Sequence, residues 1–307
     1  NARMARMSEL SFKTDMDFTY DSPRELVPGV VRIVANNPSV FTFKGTNSYV
    51  IGTDELCVID PGPDDEAHFK AIMTYAGNRP ISTIAVTHTH RDHIDGLDRL
   101  VAATGARVCG FGRTAENAGA AGAHPRTTEY IEESFIPEQT LRDGDRISGP
   151  GWTLEALYTP GHAPDHLCFA LVEANVLFSG DHVMGWNTTV VAPPEGNMAE
   201  YMASLEKLIG RPETVFFPGH GGRINEPQRM VRGYMVHRQW REQAILGAIR
   251  DGHTTITEIV ALVYKGLDER LINAASLSVQ AHVDHLIEKQ LVRSAGPTSF
   301  TSRLEAV

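Results

Sequence analysis

Four potential metal ligands fall within six consecutive positions in the run Thr87-His88-Thr89-His90-Arg91-Asp92-His93. Neutral imidazoles and carboxylates are donors for zinc and other divalent first-row cations, so this spacing points to metal chemistry. In an extended segment alternate side chains share a direction, which lets His88 and His90 serve one ion. Asp92 and His93, beyond a turn of the chain, then face a second. One cluster does not close a coordination sphere. Three more candidates stand at strand ends after a glycine: His162 in TPGHAPDH, Asp181 in LFSGDH and His220 in FFPGHG. Glycine at such points lets the backbone pass close to another group. The expected metal set is therefore His88, His90, Asp92, His93, His162, Asp181 and His220. The isolated His68, His124, His237, His253, His282 and His285 are expected on surfaces or helix faces. His182, next to an inward Asp181, is expected to point away from it, and spacing alone leaves His166 open.

Strands and helices must bring these positions together. Runs rich in Val, Ile, Phe and Thr between Val30 and Ile59 (VVRIVA, SVFTFK, GTNSYVIG, LCVID) predict a meander of strands. Asp64 and Asp65 offer helix-start chemistry before EAHFKAIMTYAG, and ISTIAVTHTH reads as a buried strand ending in polar residues. Helix GLDRLVAATG then precedes strand ARVCGF. Residues Arg113 to Glu138 read as an irregular excursion with one helical piece. Strands return at RIS, TLEALYT, HLCFALV and NVLFSG, followed by helix AEYMASLEKLIG, strand VFFPGH and a long helix from Glu226 to Gly252. Alternating strands and helices give an α/β fold with functional groups at strand ends. From Thr254 the pattern changes to two helices and a hairpin-like end, a winged-helix-like module. Its second helix carries Asp284, Glu288 and Lys289 rather than a basic face, which argues against sequence-specific DNA reading. Ile259, Leu262 and Val263, beside Leu286 and Leu291, need burial by docking on the main domain or by dimer formation. The expected domain boundaries are an extended or disordered segment 1–20, a catalytic domain 21–225, a connecting helix 226–250 and the module 251–307.

The chain carries 28 Lys and Arg against 38 Asp and Glu, a net charge of −10, so no bulk field draws it to nucleic acid or an anionic bilayer. No stretch reaches the ~18 apolar residues of a membrane span, and the first ten residues lack the apolar run of a secretory signal, so the expected location is cytoplasmic. Cys57, Cys109 and Cys168 lie in apolar runs without metal-binding spacing and read as buried hydrophobes in a reducing compartment.

IDPG at Asp60, the HxHxDH run, TPGH, GD and PGH, in this order, resemble the metallo-β-lactamase fold superfamily over roughly the first three quarters of the chain. The resemblance implies a four-layer αββα sandwich. It also implies that His88, His90 and His162 bind one metal, that Asp92, His93 and His220 bind a second, and that Asp181 bridges them. Asp60 would orient ligands without binding an ion. The expected cofactors are two zinc ions, with manganese or iron compatible with the same donors. Two such ions would share a hydroxide with a pKa near ~7 as nucleophile, with Asp92 orienting it and accepting its proton and Asp181 joining the two halves of the catalytic centre. Asp181 and His93 set the chain apart from true β-lactamases of the commonest zinc class, which place a cysteine at the bridging position and lack the second residue.

The winged module places the resemblance within a branch whose animal members behave as single-strand endoribonucleases and whose fungal relatives are carrier-protein thioesterases. An ester-like bond is the expected target, with phosphodiester hydrolysis of single-stranded RNA and thioester or lactone hydrolysis of the glyoxalase II type as rival branches. A non-enzymatic nucleic-acid-binding regulator is a third reading. A nuclease groove needs local cations and stacking aromatics. Arg113, Arg126, Arg223, Arg229, Arg232, Arg238 and Arg241 with Tyr234 and Trp240 could supply one, although HRQWRE is equally a solvated helix face. The loop Met184 to Pro194 is expected to wall the substrate pocket, with Trp186 and Asn187 as candidate contacts. A monomer and a homodimer are both compatible with the sequence.

Overall fold

The computed structural model describes residues 10–113 and 135–307. Among these, β1 (Arg24–Val27), β2 (Val30–Val34), β3 (Asn47–Ile51), β4 (Leu56–Ile59), β5 (Ile81–Ala85), β6 (Arg107–Gly110) and β7 (Gln139–Thr140) form one sheet in sequential order. The first four strands pair antiparallel, and β4 through β7 pair parallel. The connection from β4 to β5 runs through α1 (Glu66–Ala76), and that from β5 to β6 through α2 (Arg91–Ile94) and α3 (Leu97–Thr104). The second sheet contains β8 (Arg146–Gly149), β9 (Trp152–Tyr158), β10 (Leu167–Leu171), β11 (Val176–Gly180) and β12 (Val215–Pro218), in the order β12-β11-β10-β9-β8.

Period-two alternation explains the layering, because both faces of both sheets are apolar. In β4, Cys57 and Ile59 enter the core between the sheets with Trp152, Phe169 and Phe178. Leu56 and Val58 point the other way, onto Ile72 of α1 and Leu100 of α3. In β10, Leu167, Phe169 and Leu171 face the inner core. Cys168 and Ala170 face Tyr201 and Leu205 of α4 (Met198–Leu208) and Tyr234 of α5 (Pro227–Arg250). Helices therefore cover the outer face of each sheet, giving the αββα sandwich. Full burial of a Leu, Ile or Phe contributes roughly 1.5–3 kcal/mol, so a strand with apolar residues on both faces is most stable inside such a stack. Asp65 starts α1 by accepting from the His68 amide at 2.9 Å.

The C-terminal winged helix comprises α6 (Ile256–Val263), α7 (Ile272–Glu288) and the hairpin β13 (Val292–Ser294) and β14 (Leu304–Ala306). Its core contains Ile245 and Ile249, while Val231 and Tyr234 of the same α5 pack on the second sheet. One helix thus serves both cores. Ile259 and Leu286 are buried in the module, and Leu262 stays 50 % exposed. No described helix is long and apolar enough to cross a membrane.

One expectation fails here. SVFTFK (39–44) is a folded turn rather than a strand: Ser39 Oγ accepts from the amides of Phe41 and Thr42, and Phe43 has a left-handed φ of 57°. Short side-chain-to-backbone bonds of this kind compete with a sheet ladder. His68 and His282 lie on helices, on faces that are fully buried, with His68 held between Ser48 Oγ at 2.8 Å and Asp21 Oδ1 at 3.2 Å. His124, Arg126 and most of the expected excursion fall outside the described residues. The three cysteines are buried and unpaired.

Candidate metal centre

The seven expected ligands come together at one edge of the sandwich, where loops from both sheets meet. β5 ends at Ala85, and the chain continues through Thr87 to His90, which precedes α2. The Thr87 carbonyl accepts from the Leu167 amide at 2.7 Å, linking the two sheets. The His220 loop after β12 is fastened to β3: Thr46 bridges His220, the Asn47 amide donates to Gly219 O at 2.7 Å, and Asn47 Nδ2 donates to Pro218 O and Gly221 O at 2.9 Å. Tyr49 Oη adds a bond to Pro218 O at 2.7 Å. Asp181, directly after β11, is held through its carbonyl by Thr189 Oγ1 at 2.8 Å and through its amide by His166 Nε2 at 3.1 Å. His166 Nδ1 bonds Thr159 Oγ1, so both its ring nitrogens serve the scaffold.

Hydrogen bonds decide which ring nitrogens remain available. Thr87 Oγ1 donates to Asp60 Oδ2 at 2.7 Å and consequently accepts from His88 Nδ1 at 2.9 Å, leaving a lone pair on His88 Nε2. His162 Nδ1 donates to Val190 O at 2.7 Å, which again frees Nε2. These two nitrogens each stand 3.0 Å from His90 Nδ1. A His90 N–H could satisfy only one of them, so three nitrogens converge with more lone pairs than protons. Nitrogens bound tetrahedrally at ~2.0–2.1 Å stand ~3.3 Å apart, so the spacing suits one ion. Burial, reinforced by neighbouring imidazoles, holds His88 and His90 well below the usual histidine range, which keeps both neutral. Burial also lowers His162.

A second group lies alongside. His93 Nε2 and His220 Nε2 are 3.3 Å apart, with Asp92 Oδ2 at 3.4 Å and 3.2 Å from them respectively. His93 Nδ1 donates to Asp60 Oδ2 at 2.8 Å, and Thr46 Oγ1 donates to Asp92 Oδ2 at 2.9 Å. Burial opposes charging of these imidazoles, but Asp92 and Asp181 outweigh it, raising His93 well above its ordinary value and His220 to about 10. The same contacts keep both carboxyls below the usual carboxylate range against burial. Asp181 reaches both groups, with Oδ2 at 3.8 Å from His162 Nε2 and 3.2 Å from His220 Nε2. Its buried Oδ1 has no hydrogen-bond partner among the described residues. Three sets of donor atoms are close enough to hold a cation: His88, His90 and His162; His88, His93 and Asp181; Asp92, His93 and His220. Converging lone pairs and an orphaned carboxylate oxygen are what divalent cations would satisfy.

Sequence reasoning missed the supports Thr46, Asn47, Thr87 and Val190, which are ordinary residue types; only Thr87, inside the histidine run, stood near a signal. Trp186 is half-buried and stacks on Phe43 with ring centroids 4.7 Å apart, against Gly221 next to His220. Asn187 is exposed, and its Oδ1 accepts from the Thr188 amide. Of the residues that could line a basic groove, several have other uses. Arg113 is buried and bonded to Glu195, Arg238 is buried against Thr189 O, and Tyr234 is buried with its hydroxyl on Met184 O. Arg241 stacks on Tyr264. These four are therefore unavailable to a groove, whereas Arg223, Arg229 and Arg232 are exposed.

The fold and this histidine–aspartate cluster define a class. The chain belongs to the metallo-beta-lactamase superfamily of hydrolases, whose family model matches residues 41–220, and residues 255–298 match the beta-lactamase associated winged helix domain. It is 33 % identical to a Drosophila melanogaster protein named beta-lactamase-like protein 2 homolog, over 87 % of this chain and 91 % of that one. It is also 33 % identical to an Aspergillus fumigatus protein named atrochrysone carboxyl ACP thioesterase, over 74 % of this chain and 66 % of that one. A beta-lactamase domain protein from Burkholderia ambifaria shares the fold over 99 % of both chains, with a TM-score of 0.79 at 20 % identity.

Proposed function

We propose that the chain is a metal-dependent hydrolase of acyl thioesters. His88, His90 and His162 would hold one divalent cation and Asp92, His93 and His220 another, with Asp181 between them; imidazole and carboxylate donors without thiolate suit zinc. When bound, the cations supply the Lewis acidity that activates water and polarises the acyl carbonyl. The convergence of three imidazole lone pairs on one point, with Asp181 reaching from there to the second group, carries this reading.

The chain's own groups supply the rest. Asp60 holds His93 and the Thr87–His88 pair in the required tautomers, and Thr46 fixes one oxygen of Asp92. Asp92, kept ionised, takes the proton of the attacking water while the acyl carbon–sulfur bond breaks, and the proton ends on the departing thiol. The Phe43–Trp186 stack beside the His220 loop offers a flat apolar wall for the acyl group, and the exposed Asn187 extends it.

Two observations favour a thioester over a phosphodiester. One similar protein carries a thioesterase name. Arg113, Arg238, Arg241 and Tyr234, four of the groups a nucleic-acid groove would draw on, are committed to contacts within the fold.

Metal-loaded protein incubated with acyl thioesters of coenzyme A, glutathione and carrier protein, beside labelled single-stranded RNA, tests the reading. Thiol release is expected, falling more than about 100-fold in Asp181→Ala, since even loss of a residue supporting a ligand costs 10–100-fold. RNA cleavage without thiol release would contradict it.

A further inference from the structure

Residues following His220 in the same loop also line a cavity of about 370 Å3 beside the start of α5. Gly222, two residues after His220, and Gly185, four after Asp181, both line it. Two residues of extended chain span at most ~7 Å, so only one loop separates this cavity from the candidate metal centre. The volume lies within the ~300–1,000 Å3 range of small-molecule sites.

Its lining inverts the charge of the molecule. In a chain with net charge −10, the cavity gathers Lys13, Arg223, Arg229 and Arg232 against one carboxylate, Glu226. Glu226 is itself paired with Arg229 at 3.4 Å. Ile224 and Met230 add apolar surface beside these cations. Arginine forks match phosphate oxygens geometrically, and apolar surface next to them suits an uncharged arm attached to the phosphate.

We propose that this cavity binds the phosphate end of a pantetheine-type thioester carrier, so that the arm crosses the His220 loop and delivers its acyl–sulfur bond to the cluster. The inference rests on the thioesterase reading and deepens it. Coenzyme A and a carrier protein both present this phosphorylated arm, whereas glutathione does not. The cations would act on affinity and positioning, since they lie a loop away from the reacting bond.

Calorimetric titration of the full chain with 4′-phosphopantetheine and with pantetheine isolates the phosphate. The wild type is expected to bind the phosphorylated arm at least about tenfold more tightly, as 1.4 kcal/mol of charge-assisted hydrogen bonding requires. Arg223→Glu with Arg232→Glu, both exposed positions whose variant is checked by thermal melting, is expected to abolish that preference. Acyl-4′-phosphopantetheine and acyl-pantetheine then give the KM ratio, expected to fall towards one in the same variant. Equal binding of both arms by the wild type, or a preference that survives in the variant, overturns the proposal. Phosphate-dependent binding without hydrolysis of any thioester would uphold the cavity and reject the thioesterase reading, so the two failures are distinguishable.

Discussion

Asp60 grips His93 through the same carboxylate oxygen that accepts the Thr87 hydroxyl, so one buried side chain sets the tautomers of His93 and, through Thr87, of His88. Its other oxygen accepts the Thr87 amide at 2.8 Å. Both oxygens therefore face donors only.

Asp60→Asn would place an amide NH2 against at least one of those donors while preserving shape. Asparagine also tolerates the left-handed φ of 53° at this position. The expected outcome is a 10–100-fold loss of metal affinity with the fold retained. Competition against a chromophoric chelator, with circular dichroism as the control, measures it. Unchanged affinity would remove Asp60 from the account.

Gly219 has no room for a methyl group. A Cβ there would stand 2.7 Å from His93 Cε1 and closer still to Asp181 Oδ1. Gly219→Ala should displace both side chains, and a misplacement of about 1 Å costs on the order of 100-fold in turnover. Steady-state kinetics should show the loss mainly in kcat. Wild-type kcat in the alanine variant would mean that Asp181 does not need its present position.

The seam between α5 and α7 should be acid-labile. Burial, aided by Arg238 and Arg241, holds His282 well below the ordinary histidine range, so the folded state excludes a proton that the unfolded chain takes up. Its contribution is complete above pH ~6.5 and declines at about 1.4 kcal/mol per pH unit below it. Burial resists ionisation of Glu242, but hydrogen bonds from His285 and Lys289 prevail and lower its pKa. Its contribution is likewise present above the unfolded pKa of ~4.3 and lost as pH falls further. His282→Leu should therefore melt with a shallower decline than the wild type between pH 7 and pH 5. Parallel melting profiles would contradict this.

The clustering of the seven side chains was legible because histidine and aspartate recurring at glycine-flanked strand ends have few alternative reasons to do so. The layers were legible because runs such as LCVID and HLCFALV are apolar at every strand position and must be covered on both sides. Less legible were contacts made by common residues over long separations. Asn47, which ties down the His220 loop from over 170 positions away, looks like any polar strand residue. SVFTFK carries strand-like residue types, yet Ser39 and Thr42 close a local turn that holds Phe43 against Trp186. Arg113 and Arg238 look solvent-facing by type, and only the tertiary fold reveals their buried acceptors.

Hydrolysis is proposed to depend on divalent cations held by the seven clustered side chains. Elemental analysis of the purified, metal-supplemented protein, paired with anomalous diffraction at the metal edges, tests it most directly. Roughly two ions per chain are expected, in contact with His88, His90, His162, Asp92, His93, His220 and Asp181, as two-metal hydrolytic sites require. A metal-free protein with the same side chains unliganded, still turning over substrate at an unchanged rate, would contradict it.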